Sequence, residues 1–266
     1  MSGTTSARLE GRQLSVQTDD GRRLLDAVDF RLGAGELTGI IGANGAGKST
    51  LLKCLAGLQA ADGELLLDGQ PMATLSAAQR ARRLAYLAQG HRVHWPLAVH
   101  DVVALGRLPH GDGRSAHDAA IVDRMLAATA SSALAQRNVL TLSGGERARV
   151  MLARALASEP AILLADEPLA ALDPAHQLSI MQLLTREAAS GLAVAVVLHD
   201  LVLAARFCHR LVLLHQGKLI ADGPPATVLN DALLAQAFGI RVVHLEHEQY
   251  RLPIPWQLST PPCPAP

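Results

Sequence analysis

The sequence predicts an α/β fold built on a mixed, mostly parallel sheet, with an antiparallel β subdomain near its N-terminal end and a helical subdomain inserted in the core. Three observations predict it. Short apolar runs at 37–41, 161–165 and 192–198 alternate with segments of helical periodicity, the pattern of parallel strands joined by crossover helices. Residues 8–32 instead show strand-like alternation broken by the polar turn Asp19-Asp20-Gly21, a hairpin signature. From about 90 to 160 the pattern changes to helices with polar connections, including His-Gly-Asp-Gly at 110–113, and then returns to strand.

Composition bounds the rest. A chain of 266 residues can bury one large α/β core with a subdomain. Lys plus Arg and Asp plus Glu number 24 each, so no global field favours nucleic acid or an anionic membrane. Cys54, Cys208 and Cys263 are widely separated, as expected of free thiols in a reducing compartment. The segment Met1-Ser-Gly-Thr-Thr-Ser-Ala-Arg8 has no apolar centre and does not read as a signal peptide. No apolar run approaches the roughly 20 residues that cross a bilayer.

Taken in order, Gly33-Ala-Gly35 turns into Leu37-Thr-Gly-Ile-Ile41, a buried strand. Gly42-Ala-Asn44-Gly45-Ala46-Gly47-Lys48-Ser49-Thr50 follows it, and Leu51-Leu-Lys-Cys-Leu-Ala56 reads as the first turns of a helix. Strand, glycine-rich loop and helix are the context a phosphate-binding loop needs. The glycines let backbone N–H groups wrap phosphate oxygens, and the helix N-terminus adds partial positive charge. Lys48 is expected to reach the β- and γ-phosphates and the Ser49 hydroxyl to ligate Mg²⁺. The chain is therefore expected to bind a nucleoside triphosphate. Gly63–Gly69 reads as another short strand, Leu84–Ala88 as a strand ending at Gln89, and 175–189 as a helix.

Asp166-Glu167 closes the strand at 161–165, at the edge where α/β sheets present their ligands. Asp166 is expected to hold Mg²⁺ directly or through water, and Glu167 to polarise the attacking water as general base. Leu142-Ser143-Gly144-Gly145-Glu146 precedes a helix whose Ala148, Met151, Leu152 and Ala155 recur at helical spacing. Ser143 is a good N-cap, and the two glycines leave N–H groups open as a second anion site. Spacing alone leaves open whether Ser143 serves its own nucleotide or a neighbour's.

The ordered set Gly42–Thr50, Gln89, Leu142–Glu146, Asp166-Glu167, Ala171-Leu-Asp173 and His199-Asp200 resembles the nucleotide-binding subunit of ATP-binding-cassette transporters, over about residues 8–240. The resemblance implies a P-loop ATPase cassette that binds ATP with Mg²⁺ and pairs head to tail with a second copy, burying two ATP molecules. The phosphate loop of one copy would then face the Leu142–Glu146 element of the other. Gln89 would contact Mg²⁺ or the attacking water and report nucleotide state to a permease. His199 would touch the γ-phosphate and help place the water, and Asp173 would sit across the seam. One position departs from the family: the first hairpin carries Gln17-Thr-Asp-Asp20 where an aromatic usually stacks on adenine, so no base-stacking residue is assigned.

Residues 97–110 look like the branch serving importers of iron–siderophore complexes, haem and cobalamin, chiefly through Gly106-Arg-Leu-Pro-His110; Asp173-Pro-Ala-His-Gln177 is similar to the same branch. That implies a peripheral subunit on the cytoplasmic face of the inner membrane, a homodimer bound to two transmembrane permease subunits, with a periplasmic binding protein delivering cargo. The segment after Gln89 would form the cleft that receives the permease's coupling helix. Import of zinc or manganese, or export, remains an alternative. A non-transport role in DNA repair or translation lacks the expected long coiled coil or second cassette, and zero net charge gives no nucleic-acid footprint. His91, His94, His100, His110 and His117 crowd this region, but their spacings fit no zinc pattern. His244-Leu-Glu-His247-Glu248 reads as a polar strand or turn. The ATPase domain is expected over 1–252, and the Pro-rich segment 253–266 as a mobile tail.

Overall fold

The structure is a computed structural model that describes residues 7–90, 93–111 and 115–259. The expectations placed on His91, on Asp112-Gly113 and on Cys263 lie outside the described residues. Strands β1 (Ala7–Gln17) and β2 (Arg23–Gly33) form the expected first hairpin, and β3 (Leu37–Ile41) leads through the glycine-rich loop into helix α1 (Lys48–Leu55). Strand β4 (Asp62–Leu67) and the two-residue β5 (Gln70–Pro71) return to the hairpin, giving an antiparallel sheet ordered β2-β1-β4-β5. Helix α2 (Ala77–Arg83) and strand β6 (Leu84–Leu87) precede the inserted subdomain of α3 (Val99–Ala104), α4 (Ala116–Ala128) and α5 (Gly144–Ala157). The core resumes with β7 (Ile162–Ala165), α6 (Pro174–Ala189), β8 (Ala193–Val197), α7 (Leu201–Phe207), β9 (Arg210–His215) and β10 (Lys218–Gly223). Helices α8 (Pro225–Val228) and α9 (Asp231–Phe238) lead to a terminal hairpin of β11 (Ile240–His247) and β12 (Tyr250–Leu258).

The central sheet has the order β10-β9-β3-β8-β7-β6, parallel throughout except for β10 on β9. Its middle strands are apolar on both faces because both are covered, as parallel sheets require. Ile41, Leu163, Val194 and Leu213 face the inserted helices, α6 and α7. Their neighbours Ile40, Leu164, Ala195 and Val212 face α1 and the antiparallel sheet. The period of two therefore splits one sheet between two cores and fixes its height between them. In α5, Ala148, Met151, Leu152 and Ala155 are all buried, the stripe the sequence predicts.

The expected tail begins too early. Pro253 and Pro255 lie within β12, opposite His244 and Val242, and Pro253 is buried. Proline removes a ladder donor, yet a two-stranded hairpin leaves one edge of each strand unpaired. Prolines two residues apart share an edge, so both missing donors can fall on the unpaired side. Residues 253–258 are thus part of the fold.

Candidate nucleotide site

The glycine-rich loop is shaped by what surrounds it. A Cβ on Gly42 would stand 2.3 Å from the Leu214 carbonyl oxygen, and one on Gly47 2.7 Å from that of Leu24. Gly47 also has φ 102°, a backbone conformation only glycine adopts without strain. Asn44 and Gly45 are exposed at the loop tip, Ala46 is buried beneath them, and Ser49 and Thr50 open α1. Lys48 is buried and its Nζ donates to the carbonyls of Gly42 (2.8 Å) and Ala43 (2.9 Å), which holds the ammonium over the loop. Burial pushes its pKa down.

A residue that sequence reasoning missed braces this loop. Gly217 N donates to Ala46 O (3.0 Å), while Gly217 O accepts from Asp26 N (2.9 Å), so the β9–β10 turn ties the loop to β2. Its signal was the Gln216-Gly217 turn between two apolar runs.

Three strand ends bring the chemistry together. Asp166 follows β7, is 1% exposed and accepts from the Ser49 hydroxyl at 3.0 Å. Burial holds its carboxyl above the ordinary aspartate range, and the adjacent Glu167 charge adds to that. The Tyr86 hydroxyl on β6 donates to the other Asp166 oxygen at 3.5 Å, and burial pushes that phenol up to about 12. Glu167 is next, with a left-handed backbone at φ 53°, a strain that clusters at functional sites. One of its oxygens accepts from Gln89 Nε2 (2.9 Å) and the other pairs with His199 Nε2 (2.7 Å). The next residue, Asp200, caps α7, its carboxylate accepting from Val202 N and Leu203 N. Gln89, Glu167 and His199 thus come from the ends of β6, β7 and β8 to one point.

The remaining predicted residues form a second group. Ser143 caps α5 in a capping box: its hydroxyl accepts from Glu146 N (3.2 Å), and Glu146 accepts from Ser143 N (2.8 Å). Arg137 pairs with the same carboxylate at 3.0 Å. Gly144 and Gly145 pack on Ala171, where a Cβ on Gly145 would stand 2.9 Å from the Ala171 carbonyl oxygen. Asp173 caps α6 by accepting from His176 N (2.9 Å). The hydrogen bonds of Ser143 and Asp173 among the described residues stay within this group and do not reach Gly42–Thr50.

Gly106-Arg-Leu-Pro-His110 is a structural hub. Arg107 is 4% exposed and donates to Asp118 (2.7 Å), to the Ala157 carbonyl (2.8 Å) and to Glu159 (3.0 Å). His110 bonds the Ser158 carbonyl at 2.8 Å. Trp95, Leu105 and Leu108 are exposed on the same subdomain. No group of three or more metal-ligating side chains occurs among the described residues. In the first hairpin Gln17 Nε2 donates to Gly21 O (2.8 Å), and Thr18 bonds Asp20 and the Arg22 carbonyl, so the turn is held by polar groups alone.

Known proteins match both the sequence and this geometry. Residues 25–170 match the family described as ABC transporter. The "Hemin import ATP-binding protein HmuV" of Nocardia farcinica is 46% identical over 245 residues, covering 90% of this chain and 85% of its own length. The protein of that name from Pseudomonas fluorescens is 46% identical over 240 residues, covering 88% and 94%. An ATP-binding cassette solved as a dimer in a post-hydrolysis state, bound to ADP and Pi, superposes with a TM-score of 0.73 at 28% identity, covering 82% of this chain and 98% of its own.

Proposed function

Because this chain belongs to the ABC transporter family, we propose that it is the ATP-hydrolysing subunit of an importer for haem or another iron complex. It works as a homodimer on two permease subunits, at the cytoplasmic face of the inner membrane. The observation that carries the chemistry is the Glu167 carboxylate, fixed between Gln89 and His199 beside the Asp166–Ser49 pair. The cargo reading is supported by the names of the two relatives and by their identity across nine-tenths of the chain.

ATP phosphates lie in the Gly42–Thr50 loop, where Lys48 exchanges its two loop carbonyls for β- and γ-phosphate oxygens. The donor set of Ser49 hydroxyl, Asp166 carboxylate and Gln89 amide oxygen is all hard oxygen and suits Mg²⁺. Bound there, Mg²⁺ offsets charge on the phosphates. Glu167 takes the proton of the attacking water, and His199 orients that carboxylate and the water together. Ser143, Gly144 and Gly145 offer their N-terminal N–H groups to the γ-phosphate held by the other copy, with Asp173 at the seam. ATP favours the closed dimer because it binds that state better, and hydrolysis removes the preference.

The test is Glu167→Gln. It should bind ATP normally, accumulate a closed dimer and lose about 10²–10⁴-fold in turnover. Wild-type turnover would remove Glu167 as base. Haem uptake restored by the wild-type chain, and not by this variant, in a strain lacking the subunit tests the cargo.

A further inference from the structure

A cavity of about 570 Å³ lies between the C-terminal hairpin and the body of the chain, away from the phosphate loop. Its walls include Arg206, Phe207 and His209 at the end of α7, and Gln249, Tyr250 and Arg251 at the hairpin turn. No aspartate or glutamate lines it. Of the carboxylates on neighbouring elements, Asp222 pairs with Arg210 and Asp231 with His244, while Glu246 stands across the hairpin ladder from Arg251 without an ion pair among the described residues.

Beside the Thr185 hydroxyl and the Gln249 amide, the polar side chains that line this space offer donors. His209 Nδ1 accepts from Leu37 N at 3.0 Å, which puts the neutral ring's proton on Nε2. The Tyr250 hydroxyl accepts from Gln249 Nε2 at 3.1 Å and keeps its own proton to donate. Two guanidinium groups complete the set, matched in geometry to phosphate or carboxylate oxygens. The cavity also has flat faces: the Arg206 guanidinium lies 5.0 Å from the Phe207 ring centre, and Tyr250 supplies a second ring. Flat cations and aromatic rings stack planar ligands. The volume falls within the roughly 300–1,000 Å³ typical of small-ligand sites.

We propose that this cavity is a second ligand site, taking a planar aromatic anion of mononucleotide size. It is separate from the ATP site and lies beyond residues 25–170 that match the family. Arg206 and Arg251 hold the anionic group from the two sides of the cavity, so an occupant also fastens the hairpin to α7.

AMP is the probe, and the full-length chain is used with its ATP site filled by one equivalent of a non-hydrolysable ATP analogue and the excess removed, so that no free analogue competes for the cavity. Equilibrium dialysis should show one further AMP per chain. Arg206→Glu and Arg251→Glu should each weaken that binding at least tenfold while leaving ATP turnover unchanged. Both arginines are exposed, so neither change disturbs the core. Inorganic phosphate should compete at least tenfold more weakly than AMP, and AMP should slow amide exchange across 240–258. Absence of the extra equivalent, binding unaffected by either charge reversal, or phosphate equal to AMP overturns the proposal. Because the ATP site is filled throughout, such a failure leaves the ATPase reading untouched.

Discussion

Two glycines with nearly the same backbone should respond very differently to one methyl group. Gly69 (φ 75°) and Gly217 (φ 77°) each end a two-residue hairpin turn whose first residue, Asp68 or Gln216, is also left-handed at φ 48°. A Cβ at Gly69 would meet nothing within 4 Å, whereas one at Gly217 would stand 2.8 Å from the Leu24 carbonyl oxygen and 3.1 Å from its carbon. Alanine in the left-handed region costs about 1–2 kcal/mol at either site. Forcing a methyl against backbone adds about 1–3 kcal/mol at Gly217 alone. Gly69→Ala should therefore lose about 1–2 kcal/mol and Gly217→Ala about 2–5 kcal/mol, read as urea midpoints at a shared m-value. The larger loss should also reach function. Gly217 N holds Ala46 O, and Leu24 limits Gly47 as well, so a displaced turn drags the phosphate loop. We expect about tenfold weaker ATP binding, equivalent to about 1.4 kcal/mol, in Gly217→Ala and none in Gly69→Ala. Equal midpoints, or a destabilised Gly217→Ala with unchanged ATP affinity, would refute the brace.

Asp166→Asn should abolish turnover yet raise the melting temperature of the nucleotide-free protein near neutral pH. The folded state raises this carboxyl's pKa, so its ionisation costs stability in full above the folded value; the gap between variant and wild type should hold there and close as pH falls through that value to below the ordinary aspartate range, and a gap that persists at the acid end would remove burial as the cause. Ser143→Arg, tested in mixed dimers with wild-type chains, should weaken nucleotide retention at the wild-type chain's phosphate loop. Loss confined to the altered chain's own nucleotide would rule out the shared seam.

What the sequence made legible was local. Gly42–Thr50, Asp166-Glu167 and Ser143–Glu146 announce themselves because each depends on neighbours in the chain: a loop between strand and helix, a strand end, a capping box. Helix α2 carried the same kind of sign, Ser76 with Gln79, and was overlooked because its seven residues bury nothing. The brace at Gly217 and the hub at Arg107 were hidden for a different reason. Their meaning lies in contacts with Ala46 and with Asp118, Ala157 and Glu159, and the spacing of those partners carries no period. Strand β12 misled because proline counts against strands in general, whereas its penalty vanishes on an unpaired edge.

Helix α5 joins what would otherwise be two separate sites. Its N-terminus carries Ser143, and its 14 residues span about 21 Å at 1.5 Å per residue. At the far end there is no slack: a Cβ on Gly106 would stand 2.2 Å from the Arg154 carbonyl oxygen, and Arg107 bonds the Ala157 carbonyl from within a buried ion pair with Asp118. Trp95, Leu105 and Leu108 are exposed on the subdomain fastened there, and Trp95 lies in the segment after Gln89 expected to receive the permease's coupling helix. A close-packed joint of this kind does not yield by degrees, so force on that exposed surface moves α5 as a body and carries the capping box with it. On the proposed reading, in which Ser143 serves the phosphate held by the other copy, its reach depends on where the subdomain stands. If that reading holds, ATP at the seam and the permease at the far end bias the same element, and linkage then requires each to alter the other's affinity by the same factor.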